Sequence, residues 1–206
     1  MHELKWAIIE EVGSKNEARI EIPPGFVVFC DMDGTLIDTD FANFLSYRCA
    51  VIKATCGKHD IEFNGERLNR ENLKNQLPSL TTAECENIAS LKTRYFTKFL
   101  SRTILNTTLA ELIFNFSKTN DLILVTSSRT NRAIETLRYH KLLNYFSQLV
   151  CFESASQVNP LNKYSSALSI TGTCPEKALV FENDRADMEK AVHAGIPRSN
   201  IISVLR

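Results

Sequence analysis

Residues 26–40 read FVVFCDMDGTLIDTD, and the interpretation of the whole chain starts from this stretch. Residues 26–30 are continuously apolar, with β-branched and aromatic side chains, the pattern of a parallel strand buried on both faces. The acidic pair Asp31 and Asp33 follows at once, and then Gly34. In an extended segment neighbouring side chains point to opposite faces while i and i+2 share one, so both carboxylates can look toward a single ligand. Gly34 then lets the backbone bend away.

Similar apolar runs recur at 122–125, 149–152, 178–181 and 201–205. Helical patterns lie between them, at 108–117, 131–142, 163–168 and 186–194. Strands alternating with helices predict an α/β fold around a parallel sheet with right-handed crossovers. The interval 39–106 breaks the rhythm: it shows no convincing strand, but helix-like segments at 41–55, 67–77 and 82–105. Thr81 and Glu84 have capping-box spacing for the last of these, and Gly65 and Pro78 fall at the breaks. The expected organisation is therefore a core made of 23–38 and 107–206, with a helical unit, 39–106, inserted after the first strand. Residues 1–22 form a β-prone, hairpin-like extension in this reading.

In open α/β sheets ligands bind beyond the carboxyl ends of the strands. The first strand ends in Asp31 and Asp33, the second in Thr126-Ser127-Ser128-Arg129, and the 178–181 strand in Glu182-Asn183-Asp184, with Asp187 one turn on. Clustered carboxylates repel one another, and a hard cation that prefers oxygen ligands, such as Mg²⁺, relieves the repulsion. One carboxylate of the pair can attack phosphorus in line while the other manages the proton of the leaving oxygen.

DMDGTLIDTD, at 31–40, resembles the first motif of the haloacid dehalogenase-like (HAD) superfamily, in the branch with a helical cap inserted just after it. LILVTSS supplies Thr126 for the second motif, NPLNKYSSAL supplies Lys163 for the third, and VFENDRADMEKAVHAGI matches the frame of the fourth. The resemblance implies a Rossmann-like parallel core with a helical cap, and a magnesium-dependent phosphatase acting on a small phosphorylated metabolite. It assigns Asp31 as the nucleophile that becomes aspartyl-phosphate and Asp33 as the general acid/base, which also lends its backbone carbonyl to Mg²⁺. Thr126, Lys163 and backbone N–H groups near Met32, Asp33 and Ser127 would hold phosphoryl oxygens. Asp31, Asp33, Glu182, Asn183 and Asp187 form the implied metal set. Asn183 stands where the family usually has an aspartate, so it brings a carbonyl but no charge, and Asp187 is the expected helper.

A phosphomutase of the same fold shares every one of these core residues, and a non-catalytic binding protein on the same scaffold is the alternative from another class. A dehalogenase does not use the second carboxylate that Asp33 supplies. No G-x-G-x-x-G follows the first strand and no P-loop is present, which disfavours a dinucleotide or nucleoside-triphosphate enzyme. Ser127 and Ser128 read as caps of the next helix, Arg129 as a solvated helix-start residue, and Asp38 and Asp40 as turn and helix-start residues. Tyr95, Phe96 and Phe99 recur at helical spacing and belong in the core of the helical unit. The inserted cations Lys53, Lys58, Arg67, Arg70, Lys74 and Arg94 are candidates for meeting an anionic substrate.

Lys+Arg and Asp+Glu balance at 24 each, so bulk attraction to nucleic acid or an anionic membrane is not expected. No apolar run is long enough to span a bilayer, and the acidic residues among the first eleven do not suit a signal peptide, so a cytoplasmic location is expected. The six cysteines show no C-x-x-C pair or zinc spacing and read as reduced, mostly buried thiols.

Overall fold

The computed structural model describes residues 22–65, 67–152 and 162–204, so the expected extension at 1–22 lies almost entirely outside the described residues. A five-stranded sheet, order β5-β4-β1-β6-β7, is built from β1 (Val27–Cys30), β4 (Asp121–Thr126), β5 (Gln148–Cys151), β6 (Ala178–Glu182) and β7 (Ile201–Ser203). Every pairing within it is parallel. β1 is central, which is why its sequence is apolar on both faces: Val28 and Cys30 face one layer and Phe29 the other, all three fully buried.

On the first face, α4 (Thr107–Phe116) and α5 (Thr130–Tyr139) supply Leu109, Ile113, Phe116, Ala133 and Leu137. On the second, α6 (Lys163–Thr171) and α7 (Arg185–His193) supply Tyr164, Ala167, Leu168 and Ala191. Each fully buried large aliphatic or aromatic side chain contributes roughly 1.5–3 kcal/mol relative to exposure, so these two layers hold the sheet. The chain runs from β1 to β4 and β5 on one side, then to β6 and β7 on the other. The direction of winding therefore reverses at β1, the place where such sheets open a crevice at their carboxyl edge.

Between β1 and β4 lie α1 (Asp40–Ala54), α2 (Arg70–Gln76) and α3 (Thr82–Phe96). They pack around their own core of Phe44, Tyr47, Val51, Leu73 and Ile88, separate from the two layers on the sheet. Thr81 and Glu84 form the reciprocal capping box of α3. The helix expected over 82–105 is shorter: Phe99 leaves helical φ/ψ, a 3-10 turn covers Thr97–Arg102, and β3 (Ile104–Leu105) follows. β3 pairs antiparallel with β2 (Ile37–Asp38), Ile37 opposite Leu105 and Asp38 opposite Ile104. This ribbon carries both passages of the chain between sheet and helical layer, and a two-residue strand is too short to show a period in sequence. Asn69 caps α2, so the helix expected from 67 begins at Arg70.

Among the described residues no disulfide forms, and the cysteines are less buried than expected: Cys30 is in the core, whereas Cys56 and Cys174 are exposed. Cys56 sits just beyond α1 at a φ of 52° and Cys174 just before a short 3-10 turn, so both are in connections rather than in packed elements. No described helix is long and apolar enough to cross a membrane.

Candidate active site

Parallel register brings the ends of three strands level. Cys30 lies opposite Leu124 on one side and Phe181 on the other, so Asp31 emerges from the sheet between the last residues of β4 and β6. The chain then turns tightly. Leu36 and Ile37 both donate their backbone N–H to the Met32 carbonyl, and Gly34 takes a φ of 88°, a conformation costly for a residue with a Cβ. Asp31 and Asp33, each about 5% exposed or less, are thereby held at the carboxyl edge.

Lys163 occupies the first turn of α6, whose N-cap Asn162 accepts from the N–H groups of Tyr164 and Ser165. A cation at the positive end of a helix is ordinarily misplaced. Here three carboxylates surround it: Nζ is 2.8 Å from Asp31 Oδ1, 2.8 Å from Glu182 Oε2 and 2.7 Å from Asp187 Oδ2. Burial works against the ammonium charge, but Asp31, Glu182 and Asp187 together hold it protonated. Burial pushes the Asp31 carboxyl up to about 7, with Lys163 opposing and Glu182 reinforcing the rise.

Thr35, which sequence spacing does not single out, links Asp31 to Asn183, the residue after β6. Its Oγ1 lies 3.0 Å from Asp31 Oδ2 and 2.8 Å from Asn183 Oδ1, and it accepts the Asn183 N–H at 3.1 Å. Glu182 is saturated: Oε1 accepts from the N–H groups of Asn183 and Asp184, and Oε2 from Lys163 and the Tyr164 hydroxyl. Asp187 is shared between Lys163 and Lys190. The acids Glu182 and Asp187 therefore compensate a lysine, and no group of three acidic, histidine or cysteine side chains among the described residues makes a metal cage. The oxygens not paired with a lysine are Asp31 Oδ2 and Asn183 Oδ1, which share the Thr35 hydroxyl, and the Asp33 carbonyl, which accepts from Arg67; these are the candidates for a divalent cation. That set fits a hard ion that keeps several waters, with a single unit of protein charge.

Asp33 has different company. Its Oδ1 accepts from Thr39 Oγ1 and, at 2.6 Å, from Arg132 Nη2, and its Oδ2 accepts from Ser128 Oγ. Arg67 approaches from the helical layer, Nη2 at 3.8 Å from Asp33 Oδ2 and Nη1 at 3.2 Å from the Asp33 carbonyl oxygen. Burial opposes ionisation of Asp33, but Arg132, Arg67, Ser128 and Thr39 outweigh it and hold the carboxyl well below the usual range. Thr126 is buried, and its Oγ1 accepts the Ser128 N–H at 3.1 Å, which leaves the hydroxyl proton for an incoming oxygen.

The structure thus gathers Asp31, Asp33, Thr126, Lys163, Glu182, Asn183 and Asp187 at one edge. Ser127 is exposed and its hydroxyl makes no hydrogen bond among the described residues. Neither serine caps α5: the N-cap is Arg129, without a side-chain cap bond, and Ser128 turns inward to Asp33 instead. Of the inserted cations, Arg67 reaches the acid pair. Arg132, Thr39 and Tyr164 were not legible as site residues, because no short-range spacing ties them to Asp31 or Asp33.

The fold and this edge together define a Rossmann-like α/β core with an inserted helical layer. Residues 27–201 match the family model described as haloacid dehalogenase-like hydrolase, and the chain belongs to that family. A phosphorylated carbohydrates phosphatase from Thermotoga maritima is 31% identical over 182 residues, 83% of this chain and 82% of the relative. Among solved structures, CbbY from Rhodobacter sphaeroides in complex with phosphate superposes with a TM-score of 0.68 at 17% identity, covering 82% of this chain and 83% of that one. A haloacid dehalogenase-like hydrolase from Streptococcus pneumoniae gives 0.65 at 18% identity, covering 83% and 81%. These two likenesses speak for the fold.

Proposed function

We propose that the protein is a phosphoric monoester hydrolase that acts through an aspartyl-phosphate on Asp31, with a small phosphorylated metabolite as substrate. The observation that carries this reading is the contrast between two carboxylates on one turn. Asp31 is pinned by Lys163 at one oxygen and Thr35 at the other, while Asp33 lies among hydroxyls and arginines two residues on. Family membership and the sequence likeness to a phosphatase of phosphorylated carbohydrates support it.

In the first step an Asp31 oxygen attacks phosphorus, the bond from phosphorus to the leaving oxygen breaks, and Asp33 delivers a proton to that oxygen. In the second, Asp33 takes a proton from water as the water attacks the phosphoryl group, and Asp31 is released. Lys163 and the Thr126 hydroxyl offset charge on the phosphoryl oxygens. Asp31, Asn183 and the Asp33 carbonyl would hold a magnesium ion, which when bound supplies further positive charge to those oxygens. The arginine contacts on Asp33 favour its ionised form and thus the water-activating half of the cycle. Donation to the leaving oxygen requires those contacts to loosen once substrate is seated. The helices α1–α3 stand over this edge as a cap that excludes water.

Hydrolysis of an aryl phosphate with and without magnesium tests the reading. Turnover by the wild type and none by Asp31→Asn supports it. A folded wild-type protein without turnover at high magnesium overturns it in favour of a binding protein.

A further inference from the structure

Tyr164 belongs to the core by its ring and to the site by its hydroxyl, yet the reaction above gives it no task. The side chain is fully buried in the layer that contains Phe29 and Val180, and the hydroxyl donates to Glu182 Oε2 at 2.6 Å. The same ring lies beside Lys163, whose Nζ is 5.2 Å from its centroid. Tyr164 therefore touches both members of the Lys163–Glu182 pair. Its backbone is fixed as well. Asn162 Oδ1 accepts the Tyr164 N–H at 2.9 Å, and Asn162 Nδ2 donates to the Lys190 carbonyl oxygen of α7 at 2.9 Å.

An ammonium has three N–H donors, and those of Lys163 face Asp31, Glu182 and Asp187. Phosphoryl transfer moves charge from Asp31 onto the phosphoryl oxygens, so the donor on Asp31 is the one that turns to them. The other two donors are fixed points, and each of their carboxylates needs a hold besides the lysine. Asp187 has Lys190 at 2.6 Å. Glu182 has the N–H groups of Asn183 and Asp184 on Oε1, and Tyr164 as the second partner of Oε2. Without that hydroxyl Oε2 depends on Lys163 alone, in an apolar layer where an under-bonded carboxylate draws the nearest cation strongly. A shift of the ammonium toward Glu182 comes at the expense of its contact with Asp31. A buried tyrosine hydroxyl finds a partner in most folds. Here the partner is the carboxylate that aims the lysine of the site.

Resting on the role given above to Asp31, we infer that Tyr164 is a positioning residue for phosphoryl transfer: its hydroxyl fixes Glu182, and through Glu182 it keeps Lys163 Nζ aimed at Asp31 and the phosphoryl oxygens. It acts on the lysine and not on the leaving group, so its removal slows the turnover of every phosphate ester alike.

Tyr164→Phe keeps the ring and removes the hydroxyl. Its kcat should fall about ten- to a hundredfold, the range of one hydrogen bond to a charged group, by the same factor on an aryl phosphate and a hexose phosphate and with KM nearly unchanged. Affinity for orthovanadate, which adopts the trigonal-bipyramidal geometry of the transferring group, should fall in parallel in calorimetry, while affinity for inorganic phosphate changes little. A lower melting temperature with kcat and orthovanadate affinity unchanged marks a merely structural hydroxyl and overturns the inference, as does a loss confined to KM. In Glu182→Gln the carboxylate is gone, so adding Tyr164→Phe should cost nothing further in kcat; losses that multiply overturn the inference. Where Tyr164→Phe does not fold, Glu182→Gln against Tyr164→Phe/Glu182→Gln decides in the same way. If the wild type hydrolyses neither ester, the phosphatase reading fails, and orthovanadate binding still decides the role of Tyr164: weaker binding by Tyr164→Phe supports it, and equal binding overturns it.

Discussion

Lys163 Nζ lies 2.8 Å from Asp31 Oδ1, and the same ammonium is within 2.8 Å of two more carboxylates, those of Glu182 and Asp187. One buried cation therefore balances three acids that the fold has brought to one edge. Removing it leaves uncompensated buried charge, which is strongly destabilising, by about 3 to 5 kcal/mol for a broken buried pair. Lys163→Met should unfold at markedly lower denaturant concentration than the wild type, and Lys163→Met/Glu182→Gln should recover part of the loss. Equal midpoints for the wild type and Lys163→Met would show that the cluster contributes no stability.

Asp31→Asn should lose all measurable phosphate-ester turnover while its far-ultraviolet circular dichroism stays that of the wild type. Asparagine keeps the shape and can still face Thr35 and Lys163, but it supplies no anionic nucleophile. An active variant would remove Asp31 from the reaction.

Asn183→Asp addresses the charge missing from the oxygen set. Without magnesium the new carboxylate faces Asp31 across Thr35, whose hydroxyl has one proton for two acceptors, so the melting temperature should fall. With magnesium the added charge should tighten the ion, on the order of tenfold in the concentration that gives half-maximal turnover. Melting temperature against magnesium concentration reads both effects. An unchanged curve would place the metal elsewhere.

Lys92 gives a pH dependence of stability. Burial between Tyr47 and Phe96, reinforced by the charge of Arg132, drives its ammonium down to about 7. Its folded value is thus below the unfolded one, so the unfolded chain binds more protons between about pH 7 and pH 10, and stability from this group rises with pH over that window. Lys92→Met should be more stable than the wild type at pH 7, and should show a flatter midpoint between pH 7 and pH 10. Parallel pH profiles for the two proteins would contradict this origin.

Much of this site could be read from sequence because its parts are strand-end residues. β1, β4 and β6 announce themselves as apolar runs, and the parallel register then makes Asp31, Thr126 and Glu182 neighbours. What escaped was set by tertiary packing. The N-cap of α5 falls on Arg129, which rotates Ser128 rather than Ser127 toward Asp33, and Arg132 reaches the same carboxylate 99 residues away in sequence. The partnership of Glu182 and Asp187 with Lys163 was hidden because an acid at the carboxyl edge of a sheet serves a metal or a lysine equally well on spacing alone. The end of α3 was overrun by nine residues, from Phe96 to residue 105, because the helical pattern continues while β3 is claimed by pairing with β2.

That pairing has a consequence for how such a protein can change over time. Ile37 and Leu105 face each other, so the entrance and exit of the helical unit stand side by side on a stalk of two short strands. A segment joined in this way behaves as a cassette: it can be lengthened, repacked or exchanged for another without altering the register of the sheet beneath. Sequence change can then accumulate in α1–α3 while the sheet edge that carries Asp31 and faces Lys163 keeps its register.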